Sequence, residues 1–552
     1  MVDKNDKIPC KGKRFFAPTV LFFVTFFVYL NSLPNEFIFD DVPLVQNSLN
    51  VLKGGFWDLV TSYRPIRYLT YAFDYHIFGM NPWGFRLMNV LYHALTVISL
   101  FWMLKVFGLS KKASFISALV FAIHPVNTDA VAYISGRRDV LMGLFYVLSI
   151  GWFMKFYNGV GNNSLNPSLK KREIKRFPFV LLPLFGKERV GESSKRGLGR
   201  VLYLLLSLIF LVLSISSKEM GATIPLIFIL YIFYKDGAKL LKKRWFYVSL
   251  MLLLLLFSFF VFFAISSGGS GLVSLDGVLY HGNSLKVHYL TASTIWLYYL
   301  KLAAFPLKLI LDNANYPLVL DWNFKVFFSV LSMFIYGWVV WRIITLPRPL
   351  SFKKRGVAEG RGELHAIAFW MIFFVISLGP VLQIIPLHEI VAVHYLYVPV
   401  IGFCVIVGIL FDTLNNSLNP SFKKREIKKF PFVLLPLFGK ERVGESSKRG
   451  LGRVLKEGGR GELYFVFLIL LISFFSIRTI TRNFELKDHW TVFHADEKWA
   501  PLSFRGYFTL GAQYVDMKFP DKAAEYYDKA LATGAWDGNL LGNIIEPTPK
   551  RV

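Results

Sequence analysis

Two adjacent carboxylates, Asp40 and Asp41, follow an apolar run from Phe15 to Leu33 that is long enough to cross a bilayer. The pair therefore stands where the first predicted span meets water. Adjacent acids at a membrane surface can bind a metal ion, act as a general base, or form a solvated turn. The rest of the chain favours chemistry over a turn, because its other polar candidates fall on the same side of the membrane.

These further candidates map to the outer ends of the predicted spans or to the loops beside them. A charged side chain at membrane depth costs about 2.5 to 3.5 kcal/mol on insertion scales, so such residues tend to be paired or functional. The candidates are Arg64, Arg67, His124, Asp129, Arg137, Arg138, Lys218, Glu219, His394 and Tyr395. Together they predict an outward-facing pocket. Its acids would deprotonate an acceptor hydroxyl or hold a metal, and its guanidiniums would bind phosphate oxygens bidentately.

Taken singly, most of these residues also have a plainer interpretation. The alternatives are an interfacial ion pair for Lys218 and Glu219, a helix stop for His124, a helix cap for Arg137 and Arg138, and contact with lipid headgroups for Arg64 and Arg67. The prediction of a site therefore depends on all the candidates lying on the same side of the membrane, and not on any one of them.

The composition indicates the kind of protein that must position these residues. Of 552 residues, 54% are hydrophobic, 17% aromatic and only 18% charged, and the mean hydropathy is +0.46. Soluble proteins of this length are less apolar. The chain is therefore predicted to be an all-α polytopic membrane protein.

The formal charge of +27 would suit nucleic-acid binding, but its location argues against that function. Residues 163–202 recur almost unchanged at 416–455, and each copy carries ten Lys and Arg with three Glu, so the two copies supply +14. Near-identity without a divergent core pattern is typical of inserted repetitive DNA in tolerant loops. We therefore expect two passive basic insertions in cytoplasmic loops and no nucleic-acid partner.

Basic residues before the first span place residues 1–14 in the cytoplasm by the positive-inside rule. Residues 15–477 are then predicted to form a bundle of about 11 transmembrane helices. Residues 34–85 form the first outer loop, whose aromatic residues and prolines predict short helices in the membrane interface. Thr291–Leu311 is apolar enough to span, but charge bias favours an interfacial or re-entrant path. The spans are predicted at Phe15–Leu33, Leu87–Phe107, Ala113–Ile123, Val140–Tyr157, Val201–Ser217, Met220–Tyr234, Trp245–Ile265, Phe324–Trp341, Ile367–Pro386, Val398–Phe411 and Leu463–Ile477.

Residues 478–552 are predicted to form an extracytoplasmic tail with one tetratricopeptide-like repeat at about 504–537. Counted from Phe504, the residues that match the helix-turn-helix spacing of such a repeat are Tyr507, Leu510, Gly511, Tyr514, Ala523, Tyr527 and Ala530. A single repeat seldom folds alone. It must therefore dock on the membrane domain, pair with another chain, or belong to a longer array.

Several motifs, taken in order, resemble the transmembrane and tetratricopeptide-repeat O-mannosyltransferase-like (TMTC-like) proteins of the C superfamily of glycosyltransferases (GT-C). The motifs are FIFDDVPLVQN around the acid pair, Tyr63-Arg64-Pro65, GMNPWGFRLMNVLYH at 79–93, FAIHPVNTDAVAYISGRRD at 121–139, SKEMGATIP at 217–225, HYLYVP at 394–399 and the terminal repeat. The resemblance implies a GT-C-like bundle that transfers one sugar, commonly mannose, with inversion. The donor would be a dolichyl- or undecaprenyl-phosphate sugar and the acceptor a hydroxyl at the outer face.

The resemblance also implies residue roles. The first-loop acid of such enzymes is the expected general base or metal ligand and maps onto Asp40 and Asp41. Arg137, Arg138 and Lys218 are then candidates to stabilise the leaving phosphate.

Two positions depart from the family pattern. Where the family commonly reads Ala-Glu-Arg-Tyr-Leu-Tyr, residues 392–397 read Ala-Val-His-Tyr-Leu-Tyr, so an acid is missing and an arginine has become His394. The acid after the His-Pro motif, commonly glutamate, is Asp129.

Three functions stay open at the level of the sequence. The leading hypothesis is a membrane glycosyltransferase of the bacterial cytoplasmic (inner) membrane, with its active site facing the periplasm or exterior. Its partners would be the bilayer, a polyprenyl-phosphate-linked sugar donor and a protein or glycan acceptor. The alternatives are a non-catalytic or degenerate scaffold that recruits partners through the tail, and a lipid-linked sugar transporter, which the lack of inverted repeats disfavours.

We expect no metal cofactor. The adjacent acids supply two ligands, and Mg²⁺ or Mn²⁺ would need others, of which Asp129 and Glu219 are the candidates. Related enzymes exist in metal-dependent and metal-independent forms, so loss of activity with a chelator and recovery with Mn²⁺ would overturn this expectation.

Overall fold

The structure is a computed structural model. It describes residues 16–48, 52–60, 62, 64–161, 192–237, 284–311, 316–346, 359–384, 389–417 and 459–533. The predicted cytoplasmic segment 1–14, most of the two basic insertions and the predicted span at residues 245–265 lie outside these ranges.

Helices form all of the regular structure in the described residues, as the composition predicts. In chain order they are α1 (Phe16–Tyr29), α2 (Phe56–Val60), α3 (Pro65–Phe78), α4 (Pro82–Phe107), α5 (Lys111–Ala122), α6 (Thr128–Val131), α7 (Arg137–Gly161), α8 (Glu192–Ser217), α9 (Ile224–Asp236), α10 (Leu285–Ala304), α11 (Phe324–Thr345), α12 (Glu359–Leu378), α13 (Val400–Ser417), α14 (Gly459–Glu485), α15 (His489–Glu497), α16 (Phe504–Asp516) and α17 (Pro520–Ala532).

Within the described ranges, six helical segments are long and apolar enough to cross a membrane. They are Pro82–Phe107, Ile134–Gly159, Gly199–Ser217, Phe324–Thr345, Gly362–Val381 and Val466–Glu485. A seventh candidate joins α5 to residues Pro125–Val131 through a bend of 49°. The bend follows from Pro125, which lacks an N–H and disfavours helical geometry in the residue before it.

The predicted all-α polytopic membrane fold is confirmed, whereas the count of about 11 spans stays a prediction. The first predicted span is a shorter apolar helix, Phe16–Ser32, and another short apolar helix covers Val400–Leu414. The predicted span Met220–Tyr234 becomes a 3-10 turn followed by the 13-residue helix α9. Helix α10, where an interfacial path was expected, is not among the candidate spans of the described chain.

The centre of the bundle is formed by α4, α5, α7 and α13, with α8 packed along α7. Gly408 lets α13 lie directly against α5, because a Cβ at this position would come within 2.6 Å of the Ala113 carbonyl oxygen. Close backbone approach at small residues is the usual way that membrane helices gain packing energy. Helix α11 presents large apolar side chains outward, including Phe324 and Phe334, which suits contact with lipid.

The first outer loop carries a π-helical turn, Val42–Gln46, followed by α2 and α3. Phe56 and Trp57 on α2 are 62% and 75% exposed. Exposed aromatic rings on a short helix next to a span match the interfacial helices that the sequence predicts.

The tail docks on the membrane domain, which is the first of the three outcomes expected for a lone repeat. Helices α16 and α17 pack as a hairpin at the predicted repeat, and a Cβ on Gly511 would meet the Tyr527 ring at 2.7 Å. Upstream, the Asn35 side chain donates to the Asn483 carbonyl oxygen at 2.8 Å, and the Glu36 N–H donates to the Lys487 carbonyl oxygen at 2.8 Å. The first outer loop and the tail are therefore joined by hydrogen bonds to the tail's backbone carbonyl oxygens.

Candidate functional site

Asp40 is a partly exposed carboxylate at the junction between the first outer loop and the tail. Its backbone N–H donates to the Tyr133 hydroxyl at 2.8 Å, and its Oδ1 accepts from the Arg505 guanidinium at 3.2 Å. Its side chain is 29% exposed. A carboxylate held in this way is oriented yet accessible, as a general base must be.

Asp41 is buried and ties the first outer loop to the start of α7. Its Oδ1 accepts from the Ser135 N–H at 2.7 Å, and its Oδ2 accepts from the Ile38 N–H at 3.3 Å. Burial raises the pKa of Asp41 to about 6, although the nearby Arg86 and the bonds from Ser135 and Ile38 lower it. The two adjacent acids therefore have different surroundings, and only Asp40 of the pair is exposed.

This raised pKa predicts a pH dependence of stability. The pKa of Asp41 rises from 3.8 to about 6 on folding, so protonation of Asp41 favours the folded state. This contribution to the free energy of unfolding is fully present below pH 3.8 and is lost as the pH rises through about 6. We expect the melting temperature in detergent to fall less between about pH 5 and about pH 7.5 in Asp41→Asn than in wild type. Part of the slope should remain, because burial also raises the pKa of Asp74 to about 6. Identical slopes in the two proteins would contradict the assignment.

Three cations at the same end of the bundle form what we call the cationic cluster: Arg67, Arg138 and Lys218. The Lys218 ammonium lies 2.6 Å from Asp139 Oδ1, and Arg138 Nε lies 3.6 Å from Asp139 Oδ2. Burial lowers the pKa of Lys218 to about 8, with the charge of Asp139 opposing the shift and those of Arg138 and Arg64 adding to it. Asp139 is therefore within ion-pair distance of both cations, while the charges of Glu389 and Asp40 also act on Arg138.

Arg67 is the third member of the cluster and is 2% exposed. Its guanidinium stacks on the Tyr68 ring at 4.6 Å, and among the described residues its Nε has no hydrogen-bond partner. Burial lowers the pKa of Arg67; the Tyr71 and Tyr68 hydroxyls oppose that shift, and the positive charges of Arg138 and Arg64 add to it. Arg67 is thus a buried cation whose charge is poorly compensated by its neighbours.

Arg64 and Glu219 form a two-point ion pair at the edge of the cluster. Arg64 donates to both Glu219 carboxylate oxygens at 2.8 to 3.1 Å. Burial alone would raise the pKa of Glu219, but the charges of Arg64 and Lys218 outweigh it and lower the pKa. The structure therefore pairs Glu219 with Arg64 and Lys218 with Asp139, and not Lys218 with Glu219 as the plainer interpretation has it.

His394 lies in a 3-10 turn, Val393–Leu396, that faces the cluster. Its Nε2 is 3.3 Å from the Arg138 guanidinium and 3.9 Å from Glu389, whose side chain is 43% exposed. Burial and the charges of Lys218, Arg138 and Arg64 hold the pKa of His394 well below its usual value. His394 is therefore neutral and adds no positive charge where the resembling family commonly has arginine.

Tyr395, next in the chain, places its ring 4.7 Å from the Lys218 ammonium in a cation–π contact. The base candidate lies near this group as well, because Arg138 interacts electrostatically with Asp40 and with Tyr133. The structure thus brings together eight predicted residues: Asp40, Arg64, Arg67, Arg138, Lys218, Glu219, His394 and Tyr395.

Two predicted site residues, His124 and Asp129, lie at a different junction. His124 Nε2 donates to the Ala303 carbonyl oxygen at 3.0 Å, and its Nδ1 accepts from the Val126 N–H. Asp129 pairs with Arg482 of α14 at 3.5 Å. These contacts join the α5–α6 bend to α10 and α14, so the structure assigns both residues to packing between helices.

Arg137, also predicted for the site, is turned away from the cluster. Its side chain is fully buried and pairs with Asp74 of α3 at 2.5 Å. It also donates to Asn89 Oδ1 at 2.7 Å and to the Phe85 carbonyl oxygen at 2.6 Å. Arg137 therefore fastens the first outer loop to α4 and α7.

We expect Arg137→Met to destabilise the protein by about 3 to 5 kcal/mol, because Asp74 would stay buried without its partner. The loss should appear in the free energy of unfolding in detergent. In the double variant Asp74→Asn/Arg137→Met no carboxylate is left unpaired, so part of the loss should be recovered. A single variant as stable as wild type would contradict this role.

Tyr133 and Arg505 contact Asp40, and sequence reasoning missed both. Tyr133 lies inside the quoted motif at 121–139, but a tyrosine next to a span is more often an interfacial anchor. Arg505 is at the second position of the terminal repeat, outside the positions that define its spacing. Neither the motif nor the spacing distinguishes these residues without the fold.

The described residues offer no group of three His, Cys, Asp or Glu side chains arranged to hold a metal ion. The two acids that might have completed a site with Asp40 are engaged elsewhere, Asp129 with Arg482 and Glu219 with Arg64. The sequence expectation of no metal cofactor stays a prediction.

Comparison with known proteins gives relatives among the protein O-mannosyl-transferases. No family model matches the chain. The chain is 28% identical over 190 residues to the protein O-mannosyl-transferase TMTC4 of Mus musculus, 31% over 175 residues to TMTC1 of Homo sapiens and 37% over 146 residues to tmtc2 of Xenopus laevis. These matches cover 29%, 28% and 23% of this chain and 26%, 19% and 17% of the relatives. The chain thus matches about a quarter or less of the length of these relatives.

Among solved structures, the Archaeoglobus fulgidus oligosaccharyltransferase tethered to an acceptor peptide aligns with a TM-score of 0.39 and 13% identity. The alignment covers 93% of this chain and 59% of that one. The curated relatives confirm the resemblance to O-mannosyl-transferases that the motifs predict.

Proposed function

We propose, from the premise that the homologues of this chain are protein O-mannosyl-transferases, that the protein is a membrane glycosyltransferase. It transfers a sugar, mannose in the first instance, from a polyprenyl-phosphate carrier to a hydroxyl of a protein acceptor. The site faces the extracytoplasmic side, which is the periplasm if the membrane is the bacterial inner membrane. The basic N-terminus supports this orientation through the positive-inside rule.

The observation that carries the proposal is the cationic cluster beside an accessible carboxylate. Among the described residues, Asp139 is the one carboxylate within ion-pair distance of Arg138 or Lys218, and Arg67 has none. The charges of Glu389 and Asp40 also stabilise Arg138, so the poorly compensated cation is Arg67, and such a buried cation is costly. A bound phosphate would offset that cost, and guanidiniums match its oxygens in geometry.

In the proposed reaction, Asp40 accepts the proton of the acceptor hydroxyl as its oxygen attacks the anomeric carbon of the sugar. A new carbon–oxygen bond forms on the face opposite the phosphate, and the bond from the anomeric carbon to the phosphate oxygen breaks. The configuration inverts, and the polyprenyl phosphate leaves with one additional negative charge. Arg138 and Lys218 stabilise that charge as it develops, which is where electrostatic catalysis contributes most.

The test is transfer by the purified protein reconstituted in liposomes. Radiolabelled polyprenyl-phosphate-mannose is the donor, a library of serine- and threonine-containing peptides is the acceptor, and heat-denatured protein is the control. We expect radiolabel in the peptide fraction with the native protein and none with the heat-denatured control. Absence of transfer from polyprenyl-phosphate donors carrying mannose, glucose or other hexoses would overturn the proposal and favour the scaffold alternative.

A further inference from the structure

The tail surrounds Phe39, the residue directly before Asp40. The Phe39 N–H donates to His489 Nε2 at 3.0 Å, and its carbonyl oxygen accepts from Arg505 at 2.9 Å. The Phe39 ring lies under the Arg505 guanidinium at 4.4 Å and against the Phe493 ring at 6.1 Å. Both backbone polar groups and the side chain of Phe39 are therefore held by α15 and α16.

The residue held by these contacts also has a strained backbone. Phe39 has a φ of 48°, in the left-handed region that a bulky residue rarely adopts. A residue held there is strained and persists only when its surroundings enforce the conformation. The contacts from His489 and Arg505 supply that enforcement, so the conformation of Phe39 depends on the docked tail.

Arg505 contacts Asp40 as well as Phe39. One guanidinium nitrogen lies 3.2 Å from Asp40 Oδ1, while another donates to the Phe39 carbonyl oxygen. The ion pair is part-exposed, with the Arg505 side chain 33% exposed and that of Asp40 29%. Such a part-exposed pair contributes little to the stability of the fold. Its larger effect is on the orientation of the carboxylate.

Asp40 is thus fixed from two sides. Tyr133 of the membrane domain accepts from its N–H, and Arg505 of the tail binds Oδ1. Among the described residues, Oδ2 makes no hydrogen bond, which leaves one carboxylate oxygen for an incoming hydroxyl. Burial and the charge of Arg505 lower the pKa of His489 to about 4, against the effect of Asp488. Its Nε2 is therefore an acceptor for the Phe39 N–H at neutral pH.

We propose that Arg505 is a positioning residue for the sugar-transfer reaction: through it, the tail holds Phe39 and Asp40 in the conformation in which Asp40 accepts the acceptor proton. The inference rests on the proposed function, because it assigns Arg505 a role through the base of that reaction. The docked tail would then contribute a positioning residue to the active site. The charged and titratable groups facing Asp40 are then Arg505 and His489 from the tail, and Tyr133 and Arg138 from the membrane domain.

The test compares the full-length Arg505→Gln and Arg505→Lys proteins with wild type in the liposome assay. Misplacing a catalytic group by about 1 Å can cost about a hundredfold in rate. We expect the glutamine variant to lose about tenfold to a hundredfold in kcat. The donor KM should stay within about twofold, since the cationic cluster is untouched. The lysine variant, which keeps the charge but loses the planar fork, should retain more activity than the glutamine variant.

A double variant separates positioning from simple structural support. If Arg505 acts through Asp40, adding Arg505→Gln in the Asp40→Asn background should lower kcat little further, so the effects of the two changes should not add. The control is Lys522→Gln on α17, which removes an exposed tail cation whose contact is with the Tyr514 ring and should leave kcat unchanged.

Tail docking is measured separately, by the rate of protease cleavage between α14 and α15, which requires no activity. A glutamine variant with wild-type kcat would overturn the inference. So would a variant whose loss of rate is equally large in the Asp40→Asn background, or one that loses rate together with a cleaved tail, because Arg505 would then only hold the tail in place. An inactive wild type with a protected tail would remove the proposed function and this inference with it. An active wild type with an unaffected variant removes the inference alone.

Discussion

Asp40→Asn should lower the rate of sugar transfer by about a hundredfold to ten-thousandfold, the range over which a general base contributes. The amide keeps the shape of the side chain and cannot accept the acceptor proton. Folding should be intact, because the side chain is 29% exposed and its one ion pair is with a part-exposed arginine. The measurement is kcat in the liposome assay, with the melting temperature in detergent beside it.

The matched control is the adjacent carboxylate. In Asp41→Asn the amide oxygen can keep the bond from the Ser135 N–H, and the side chain is buried away from any acceptor. We expect this variant to retain most of its transfer activity and to differ mainly in the pH dependence of its stability. If Asp41→Asn were inactive and Asp40→Asn active, the roles of the two acids would be reversed. If both variants were active, the pair would be structural.

The second large effect concerns the donor. Arg138→Gln should raise the donor KM by about tenfold to a hundredfold, since a hydrogen bond to a charged group contributes about 1.5 to 3 kcal/mol. The fold should tolerate the change, because Asp139 keeps Lys218 as a partner at 2.6 Å. This distinguishes Arg138 from Arg137, whose removal leaves Asp74 unpaired.

Steady-state kinetics with varied donor at fixed acceptor measure this prediction. Lys286→Gln serves as the control, because Lys286 is 58% exposed and pairs with Asp321 outside the cluster. An Arg138→Gln protein with unchanged donor KM and normal kcat would show that Arg138 does not bind the donor phosphate. A loss of folding equal to that of Arg137→Met would show that Arg138 is structural.

The acid pair shows how far the sequence could be taken. Composition and span spacing were enough to predict a membrane fold and to place both acids just after its first apolar helix. They could not separate Asp40 from Asp41, because that depends on which carboxylate the fold buries. The answer lies in contacts with Tyr133, Ser135 and Arg505, which are about 90 to 470 residues away in the chain.

The sequence also could not distinguish the two neighbouring arginines, Arg137 and Arg138. Successive residues on a helix point about 100° apart, so Arg137 and Arg138 leave the helix in different directions. The sequence offers no means of choosing between them. In the structure Arg138 faces Asp139 and His394, whereas Arg137 faces Asp74.

The sequence predicted the helices of the tail but not the contact between the tail and Asp40. The repeat spacing predicted two packed helices, which are present as α16 and α17. It gave no reason to connect Arg505 with Asp40, because the contact depends on how α14 and α15 direct the tail back onto the first outer loop. His124 and Asp129 are the opposite case, since they lie inside the motif at 121–139 yet pack against α10 and α14.

The central claim is that one end of the bundle binds a lipid-linked sugar between the cationic cluster and Asp40. An electron cryo-microscopy structure with a non-hydrolysable polyprenyl-phosphate sugar tests it most directly. The account predicts the phosphate within hydrogen-bonding distance of Arg138 and Lys218, with the anomeric carbon between the phosphate and Asp40. A phosphate bound elsewhere, or a sugar on the far side of the cluster from Asp40, would contradict it.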